Sequence, residues 1–425
     1  MKSVLLVTCL TVLSIRVSIA QSTCVSQEYR LQEMTRNYSM RQQIERAENF
    51  WKNASIPEIV SGTPSKNGDG LTLIKIPVVI HILYNNADQN ISDAQVLSQI
   101  EILNKEFRRL HADTAYIPHA FRNIAADCMI EFALANVTPK GYATTGIVRK
   151  QTNSIGFGFD DKIKFSSSGG DDAWDSDRYL NIWVGRLYAG IQGYASPLGC
   201  AKEKDGVVIS YTAFGNTGKA QAPYNKGRVA VHEIGHWLGL RHIWGDQYCG
   251  NDEVGDTPPQ GSATRGCPAG IIVSCNNAPT GNMYNNYMDL TDDNCMNMFT
   301  IGQREKMRAA FNAGGPRRAL LFSNGATGIP LPEPPPQEPI VERKLSVFPN
   351  PGSGKITVDL GNEKELIGSM ITIFNQVGQM QLQARITGSR ISIDISNLKE
   401  GIYFIKTDKK TNPIKLVKGN NPIPR

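Results

Sequence analysis

The segment "VHEIGHWLGLRH", residues 231–242, constrains the fold of this chain more than any other. It holds three of the chain's six histidines, His232, His236 and His242. His232 and His236 are four residues apart in a helical pattern, so both imidazoles are expected on one side of a helix, one turn apart. Gly239 is expected to end that helix, because a residue without a Cβ readily takes a positive φ and reverses the chain. The reversal would bring His242 back beside the other two histidines.

Three imidazoles in this arrangement predict a zinc site. Zinc binds histidine nitrogens at about 2.0–2.1 Å, and three protein ligands leave a fourth position open, as in catalytic sites. Zinc lowers the pKa of a bound water to about 7. Glu233 is expected to take that water's proton as general base and to pass it to a leaving amine. The alternative is a packed helix with incidental histidines; the glycine and third histidine at fixed offsets favour the metal site.

The first twenty residues have the pattern of a secretory signal peptide. Lys2 precedes the apolar run "VLLVTCLTVL", and the small residues "SIA" precede Gln21. The alternative is a buried N-terminal helix. No later run approaches the ~18 apolar residues that span a bilayer. We therefore expect an exported chain without a transmembrane segment, either released or attached to the outer cell surface.

Composition limits the number of domains and the kind of partner. A length of 425 residues suggests two or three domains. The net charge is only +6, and no basic run stands beside aromatic residues, so nothing indicates a nucleic-acid partner. The predicted organisation is a signal peptide (1–20), a polar pro-segment (21–60), a catalytic domain (61–322), a proline-rich linker (323–343) and a C-terminal domain (344–425).

Local patterns predict an α+β catalytic domain with a mixed sheet. "LIKIPVVIHILY", "CMIEFALANV", "YLNIWVGRL" and "DGVVISYTAF" are typical of strands. "NISDAQVLSQIEILNKEFRRL" predicts a helix that begins with a capping box of Ser92 and Gln95. The pro-segment stretch "QEYRLQEMTRNYSMRQQIERAENFW" is predicted as one charged helix without a compact core. Beyond the linker, alternating apolar and polar residues predict a small all-β sandwich.

Four cysteines lie close together in the catalytic domain. In an exported chain, Cys249, Cys267, Cys275 and Cys295 are expected to form two disulfides. Four cysteines allow three pairings, and their spacing does not choose among them.

"HEIGHWLGLRH" matches the HExxHxxGxxH motif of metzincin metallopeptidases, and within them the chain resembles the pappalysin family. The resemblance rests also on "IPVVIHILY", "DGVVISYTAFG", "VGDTPPQ" and "NNYMDLTDDNCMNMFTIGQREKMR", and it covers roughly residues 70–315. It implies the metzincin fold, with a mixed twisted sheet and an active-site helix. It also implies a zinc endopeptidase that acts on proteins and peptides; we expect a monomer.

The resemblance also assigns roles to further residues. It makes Met288 the Met-turn methionine beneath the zinc, and it pairs Cys249 with Cys275 and Cys267 with Cys295. It places Asp293 in the pocket that selects arginine or lysine after the scissile bond, where a carboxylate pairs with a guanidinium. The alternative for Asp293 is a solvated loop position.

One position departs from the family pattern. Similar enzymes carry a tyrosine two residues after the Met-turn methionine, whereas this chain has Leu290, which offers no hydrogen-bond donor. Either zinc alone stabilises the oxyanion, with or without Tyr287 or Tyr284, or turnover is reduced by about 10²–10³.

Two further sites are expected with less local support. The loop "CGNDEVGDTPPQ" offers oxygen ligands for a structural calcium ion, at Asp252, Asp256 and Thr257; the alternative is an ordinary acidic turn. Cys24, in the pro-segment, is expected to occupy the open zinc position of a zymogen, since a thiolate is a good zinc ligand. Its alternative role is a disulfide with Cys128 or Cys200.

The C-terminal domain resembles the sorting domain of proteins exported by type IX secretion, through "LSVFPNP", "GIYFIKT" and "KLVK". That likeness implies the type IX machinery as a partner, and the alternative is a generic adhesive sandwich. Two rival functions remain for the whole chain. One is a metal-binding surface adhesin that has lost turnover, which Leu290 would favour; the other is a purely structural secreted protein.

Overall fold

The computed structural model describes residues 24–53, 71–188, 190–332, 345–361, 363–408 and 410–419. The predicted signal peptide and most of the predicted linker lie outside these ranges. The chain divides into two compact units, residues 1–333 and 334–425. The helices of the first unit are α1 (Ser26–Arg36), α2 (Tyr38–Asn53), α3 (Asp93–Phe107), α4 (Arg228–Trp237) and α5 (Ile301–Ala309). Its strands are β1 (Ile74–Tyr84), β2 (Ile130–Leu134), β3 (Ile147–Gln151), β4 (Leu180–Gly185), β5 (Gly193–Ala195) and β6 (Gly206–Ser210).

The six strands form one mixed sheet, which confirms the predicted α+β class. The order is β2-β1-β4-β6-β5, and β3 pairs with the second half of β1. All pairs are parallel except β5 with β6, so β5 is an antiparallel edge strand. The strands β4 and β6 are buried along their whole length, as expected for parallel strands covered on both faces. Sequence reasoning missed β3 and β5, which are short and lack a clear alternating pattern.

The predicted capping box of α3 forms only in part. The Ser92 side chain accepts a hydrogen bond from the Gln95 backbone amide, as expected. The Gln95 side chain instead donates to the carbonyl oxygens of Tyr211 and Phe214, at 3.0 and 2.8 Å. Tertiary contacts therefore override the local cap, because Gln95 is fully buried against the loop that follows β6.

The pro-segment forms two helices, and the prediction of one helix was wrong. The chain is extended at Asn37, whose Oδ1 accepts a hydrogen bond from the Ser39 amide at 2.9 Å. Asparagine favours such caps over helix interiors because its side chain competes for backbone groups. Tyr29 and Trp51 are buried in the cores of the first unit, so the segment docks onto the catalytic part of the chain.

Residues 323–332, which the sequence assigned to the linker, lie within the first unit. The Asn136 amide donates to the carbonyl oxygen of Gly325 at 2.9 Å, and Leu331 forms an isolated bridge with Tyr142.

The second unit contains two antiparallel sheets around one apolar core, in agreement with the predicted all-β sandwich. One sheet has the order β10-β9-β12-β13, and the other β11-β8-β7. Their strands are β7 (Ser346–Phe348), β8 (Lys355–Asp359), β9 (Met370–Asn375), β10 (Met380–Arg385), β11 (Arg390–Asp394), β12 (Gly401–Thr407) and β13 (Lys410–Lys418). Within the described ranges of the whole chain, no helix is both long enough and apolar enough to cross a membrane.

Candidate metal centre

Helix α4 and the turn after it bring the three histidines of residues 231–242 together. Gly239 has a φ of +100°, and an added Cβ there would lie 2.7 Å from atoms of Leu198 and Trp51, so the turn requires glycine. After the turn His242 returns to the helix. The His236 Nε2 lies 3.0 Å from His232 Nε2 and 3.2 Å from His242 Nε2.

The protonation of the three imidazoles follows from their outer contacts. Each Nδ1 lies beside an oxygen acceptor. The acceptor is the Tyr287 carbonyl for His232, at 2.6 Å, and the Leu240 carbonyl for His236, at 2.8 Å. For His242 it is the Asp246 carboxylate, at 2.5 Å. Nδ1 therefore carries the proton, and each Nε2 presents a lone pair to the others. Burial lowers the pKa of His232 and His236 well below its usual value, which keeps them neutral. Three converging lone pairs repel one another unless a cation lies among them, so this donor set fits zinc.

Glu233 lies beside this cluster and is fully buried. Burial raises the pKa of its carboxyl group to about 8. Its Oε2 accepts a hydrogen bond from the Ser26 hydroxyl at 2.7 Å, and the same hydroxyl accepts from the Ala195 amide at 2.8 Å. Ser26 therefore links the pro-segment both to this carboxylate and to the edge strand β5. Sequence reasoning missed Ser26, because only the fold reveals that contact across 207 residues.

Cys24 joins the three histidines. Its Sγ lies within 4.8 Å of one ligand nitrogen on each of the three imidazoles. The residue forms a parallel bridge with Gly193, so the pro-segment extends the free edge of β5. Burial, followed by the charge of Glu233, raises the pKa of the Cys24 thiol well above its usual value. A bound divalent cation would favour the thiolate, since a coordinating thiol is deprotonated. The alternative disulfides do not form, because Cys128 and Cys200 are both free cysteines among the described residues.

Met288 lies directly beneath α4. A Cβ added at Gly235 would lie 2.5 Å from the Met288 Sδ, so the helix approaches the methionine closely only because position 235 is glycine. The Met288 carbonyl accepts a hydrogen bond from the Ile243 amide at 3.1 Å. Cys249–Cys275 and Cys267–Cys295 form disulfides, each with a Cα–Cα distance of 5.7 Å. This is the pairing that the resemblance implied.

Asp293 lies in a narrow pocket that Glu233, His232 and Leu290 also line. It is only 1% exposed, which excludes the solvated-loop alternative. Its Oδ2 accepts hydrogen bonds from the backbone amides of Lys226 and Arg228, at 2.7 and 3.3 Å. Its Oδ1 is buried and has no hydrogen-bond partner among the described residues. Burial raises the pKa of this carboxyl group to about 6.

The two tyrosines considered as substitutes at the Leu290 position have other partners in this structure. The Tyr287 hydroxyl donates to Glu106 in a very short contact, and the Tyr284 hydroxyl donates to the Gly270 carbonyl at 2.8 Å. Glu106 also pairs with Arg228 at 3.0 Å, so a buried network supports the segment that holds His232. Sequence reasoning missed this network, since Glu106 and Arg228 are 122 residues apart and carry no local pattern.

The acidic loop that follows α4 contains the three predicted calcium ligands, of which only Asp252 and Thr257 contact each other. The Thr257 hydroxyl lies 2.9 Å from both carboxylate oxygens of Asp252. Burial raises the pKa of Asp252 to about 7. The Asp256 carboxylate instead accepts hydrogen bonds at the start of α5, from the Thr300 hydroxyl at 2.7 Å and the Gly302 amide at 2.8 Å.

The sheet, the active-site helix with its three returning imidazoles and the methionine below them define a metallopeptidase of the metzincin type. The family described as pregnancy-associated plasma protein-A, a family of peptidases, matches residues 165–312. Mature mirolysin of Tannerella forsythia, solved with a cleaved peptide, is 48% identical over 61% of this chain and 100% of its own, with a TM-score of 0.60. A promirolysin variant is 45% identical over 71% of this chain and 97% of its own, with a TM-score of 0.63. The chain belongs to the pappalysin family.

Curated relatives agree with this assignment. An extracellular metalloprotease of Colletotrichum graminicola is 37% identical over 31% of this chain, and extracellular metalloprotease 1 of Coccidioides posadasii is 40% identical over 32%. The matches span about half the length of these two relatives, 49% and 51%. A secretion-system C-terminal sorting domain matches residues 346–418. The chain is therefore a secreted or surface-attached protein with a type IX sorting tail.

Proposed function

We propose that this chain is a secreted zinc-dependent endopeptidase that hydrolyses peptide bonds in proteins and peptides. The observation that carries the proposal is the convergence of three Nε2 lone pairs beside the buried carboxylate of Glu233. His232, His236 and His242 would hold the zinc ion. When bound, the ion supplies Lewis acidity that activates water and polarises a carbonyl group.

Glu233 moves the proton in the proposed reaction. Its carboxylate takes a proton from the attacking water and passes it to the nitrogen of the leaving amine. Atoms balance without a covalent intermediate: water adds across the amide, and an acid and an amine leave. Leu290 lines the pocket without a donor, so we expect slower turnover than in relatives with a tyrosine there, by about 10²–10³.

Asp293 is proposed to select arginine, and less often lysine, after the scissile bond. The support is its buried Oδ1, which has no hydrogen-bond partner among the described residues and lies in the pocket beside Glu233. A guanidinium group provides paired donors that match a carboxylate, whereas an ammonium group provides a point charge. Arginine is therefore the better fit.

Residues 21–60 are proposed as a pro-segment that keeps the chain latent. Cys24 would occupy the open zinc position as a thiolate, and Ser26 already holds the Glu233 carboxylate. If so, Cys24→Ala produces a zymogen with measurable cleavage before pro-segment removal. Ser22→Ala, which lies outside the described residues, is the matched control. An alanine variant that remains as latent as the unmodified zymogen would contradict the role of Cys24.

Other assignments complete the proposed function. In this proposal residues 61–322 form the catalytic domain, residues 323–343 form a linker, and residues 344–425 form a domain that the type IX machinery recognises. The mature enzyme acts as a monomer. Met288 packs beneath the zinc. A calcium ion at Asp252, Asp256 and Thr257 has one supporting observation, the contact of the Thr257 hydroxyl with the Asp252 carboxylate, and Asp256 would have to leave its hydrogen bonds at the start of α5 to join them. It would raise the melting temperature on titration with Ca²⁺, and this increase would disappear in Asp252→Asn.

The central experiment uses a quenched peptide with one arginine and the activated chain. We expect cleavage before that arginine, loss of cleavage with a zinc chelator, and recovery on adding Zn²⁺. Glu233→Gln should retain stoichiometric zinc by elemental analysis and lose cleavage. Bound zinc with no cleavage by the unmodified chain would reject the peptidase and favour the adhesin.

A further inference from the structure

The pro-segment helix α1 inserts Tyr29 into a pocket beside the edge strand β5. Tyr29 is fully buried, and its ring centroid lies 5.0 Å from that of Tyr194 on β5. Its hydroxyl donates to Asp161 Oδ1 at 2.6 Å and accepts from Lys164 Nζ at 3.1 Å. The pocket therefore matches a phenol in both shape and hydrogen bonding.

The floor of this pocket belongs to the catalytic part of the chain and is held without Tyr29. Lys164 is fully buried and donates to the Ser196 hydroxyl and the Lys204 carbonyl, both at 2.9 Å. It also pairs with Asp161 at 3.1 Å. Asp161 has a φ of +67°, an unusual conformation for a residue with a side chain. These contacts lie outside the pro-segment, and Lys204, which pairs with both Asp161 and Glu33, keeps Asp161 as its partner when Glu33 leaves with the pro-segment, so the pair stays in place.

The position of the pocket along the cleft follows from β5. Gln192 lines the Asp293 pocket, Gly193 lies beside Glu233, and Ala195, two residues further along β5, lines a separate cavity together with Ser26 and His236. Moving along β5 from Gln192 to Ala195 thus leads away from the pocket proposed for the residue after the scissile bond. Residues that face each other across a sheet point their side chains to the same face. A substrate strand on the β5 edge would therefore place one side chain beside Tyr194, where Tyr29 now lies.

We propose that, once the pro-segment is removed, the pocket filled by Tyr29 is a substrate subsite that accepts a tyrosine side chain on the amino-terminal side of the scissile bond. This inference rests on the peptidase function proposed above. Phenylalanine would fill the apolar walls but leave Asp161 and Lys164 facing a ring edge. A site that hydrogen-bonds a hydroxyl rejects the analogue without it, so we expect about a 10-fold preference for tyrosine over phenylalanine.

The experiment measures that preference with the activated, full-length chain after pro-segment cleavage. Quenched peptides carry one arginine after the scissile bond and place tyrosine, phenylalanine or leucine at each of the three preceding positions. At one position tyrosine should raise kcat/KM about 10-fold over phenylalanine, mainly through a lower KM. Equal cleavage of the tyrosine and phenylalanine peptides at all three positions would overturn the proposal.

A pair of lysine variants assigns the preference to this pocket. Lys164→Met should bring the tyrosine-to-phenylalanine ratio close to one, whereas Lys162→Met, an exposed lysine in the same turn, should keep the ratio of the unmodified enzyme. Identical ratios in the two variants would reject the pocket. If Lys164→Met does not fold, the ratio for the unmodified enzyme still decides.

A binding measurement separates this inference from the peptidase proposal. The same peptides are titrated onto the pro-segment-free Glu233→Gln chain by fluorescence anisotropy. Tighter binding of tyrosine than phenylalanine peptides supports the subsite even where no peptide is cleaved. Cleavage before arginine with equal binding of both peptides refutes the subsite and leaves the peptidase standing.

Discussion

Replacing Asp293 by asparagine should weaken cleavage before arginine and at the same time stabilise the fold. Asparagine preserves an oxygen acceptor for the amides of Lys226 and Arg228, and it removes only the charge. Losing one partner of a buried charge pair costs about 2–5 kcal/mol of binding. We therefore expect kcat/KM for an arginine peptide to fall at least about 30-fold at pH 7.5, with little change for a leucine peptide.

The stability effect follows from the raised pKa of Asp293. The carboxyl group has a pKa of about 6 in the folded chain, against an ordinary value of 3.8. Folding therefore disfavours its ionised form: the penalty is absent below about pH 4, grows with pH, and is complete above about pH 6, where it reaches about 3 kcal/mol. Asp293→Asn avoids this penalty, so its melting temperature should exceed that of the unmodified chain at pH 8 and match it near pH 4.

Two assays check this prediction. Steady-state kinetics with arginine and leucine peptides from pH 5 to 8 should show the arginine-to-leucine ratio of kcat/KM falling below about pH 6 in the unmodified enzyme only, as Asp293 takes up a proton. Calorimetry over pH 4–8 gives the stability difference. Asp292→Asn, a neighbouring carboxylate, is the matched control. A variant that cleaves the arginine peptide as well as the unmodified enzyme, or melts lower at pH 8, would refute the reasoning.

Three further predictions address the packing around the site. Ser26→Ala removes the hydroxyl that holds Glu233, so the zymogen should show a higher rate of spontaneous activation on storage, measured by peptide cleavage over time; an unchanged rate would show that this contact contributes nothing to latency. Gly235→Ala places a Cβ 2.5 Å from the Met288 Sδ and should lower zinc affinity at least about 10-fold by competition with a chelator, whereas Gly255→Ala, with open space around it, should not. Replacing Cys267 and Cys295 by serine opens a loop of 28 residues and should reduce the free energy of unfolding by about 3 kcal/mol in a denaturant titration, and a loss below about 1 kcal/mol would contradict the estimate.

The sequence predicted those parts of the site that lie within one short segment. The histidine spacing and Gly239 determine a local helix and turn, and the structure shows both, with φ at Gly239 positive as expected. Long buried strands such as β1 were also predictable, because six of its eleven residues are β-branched and favour a strand. Local signals suffice where neighbouring residues alone decide the conformation.

The parts that could not be predicted depend on contacts between distant segments. Gln95 stands at the position of a capping residue, yet its side chain donates hydrogen bonds to the loop after β6. The polar composition of the pro-segment suggested a solvated helix. The segment nevertheless docks on the rest of the chain, because a few large side chains, Tyr29, Ile44 and Trp51 among them, are buried. Three large buried residues are enough to dock the two helices, although the average composition of the segment remains polar.

In the proposed zymogen, the pro-segment would block the active site through contacts that a substrate would need. Cys24 and Ser26 reach the metal-binding and proton-transfer groups, while Tyr29 fills the pocket beside Tyr194. Its bridge with β5 is parallel, whereas β5 pairs with β6 in the antiparallel sense. A segment that copied substrate side chains in substrate direction would be cleaved. In this proposal, running parallel to the edge strand lets the pro-segment fill the same pockets while a thiol and a hydroxyl, rather than a peptide carbonyl, face the catalytic groups, so tight docking and resistance to cleavage would come from the same geometry.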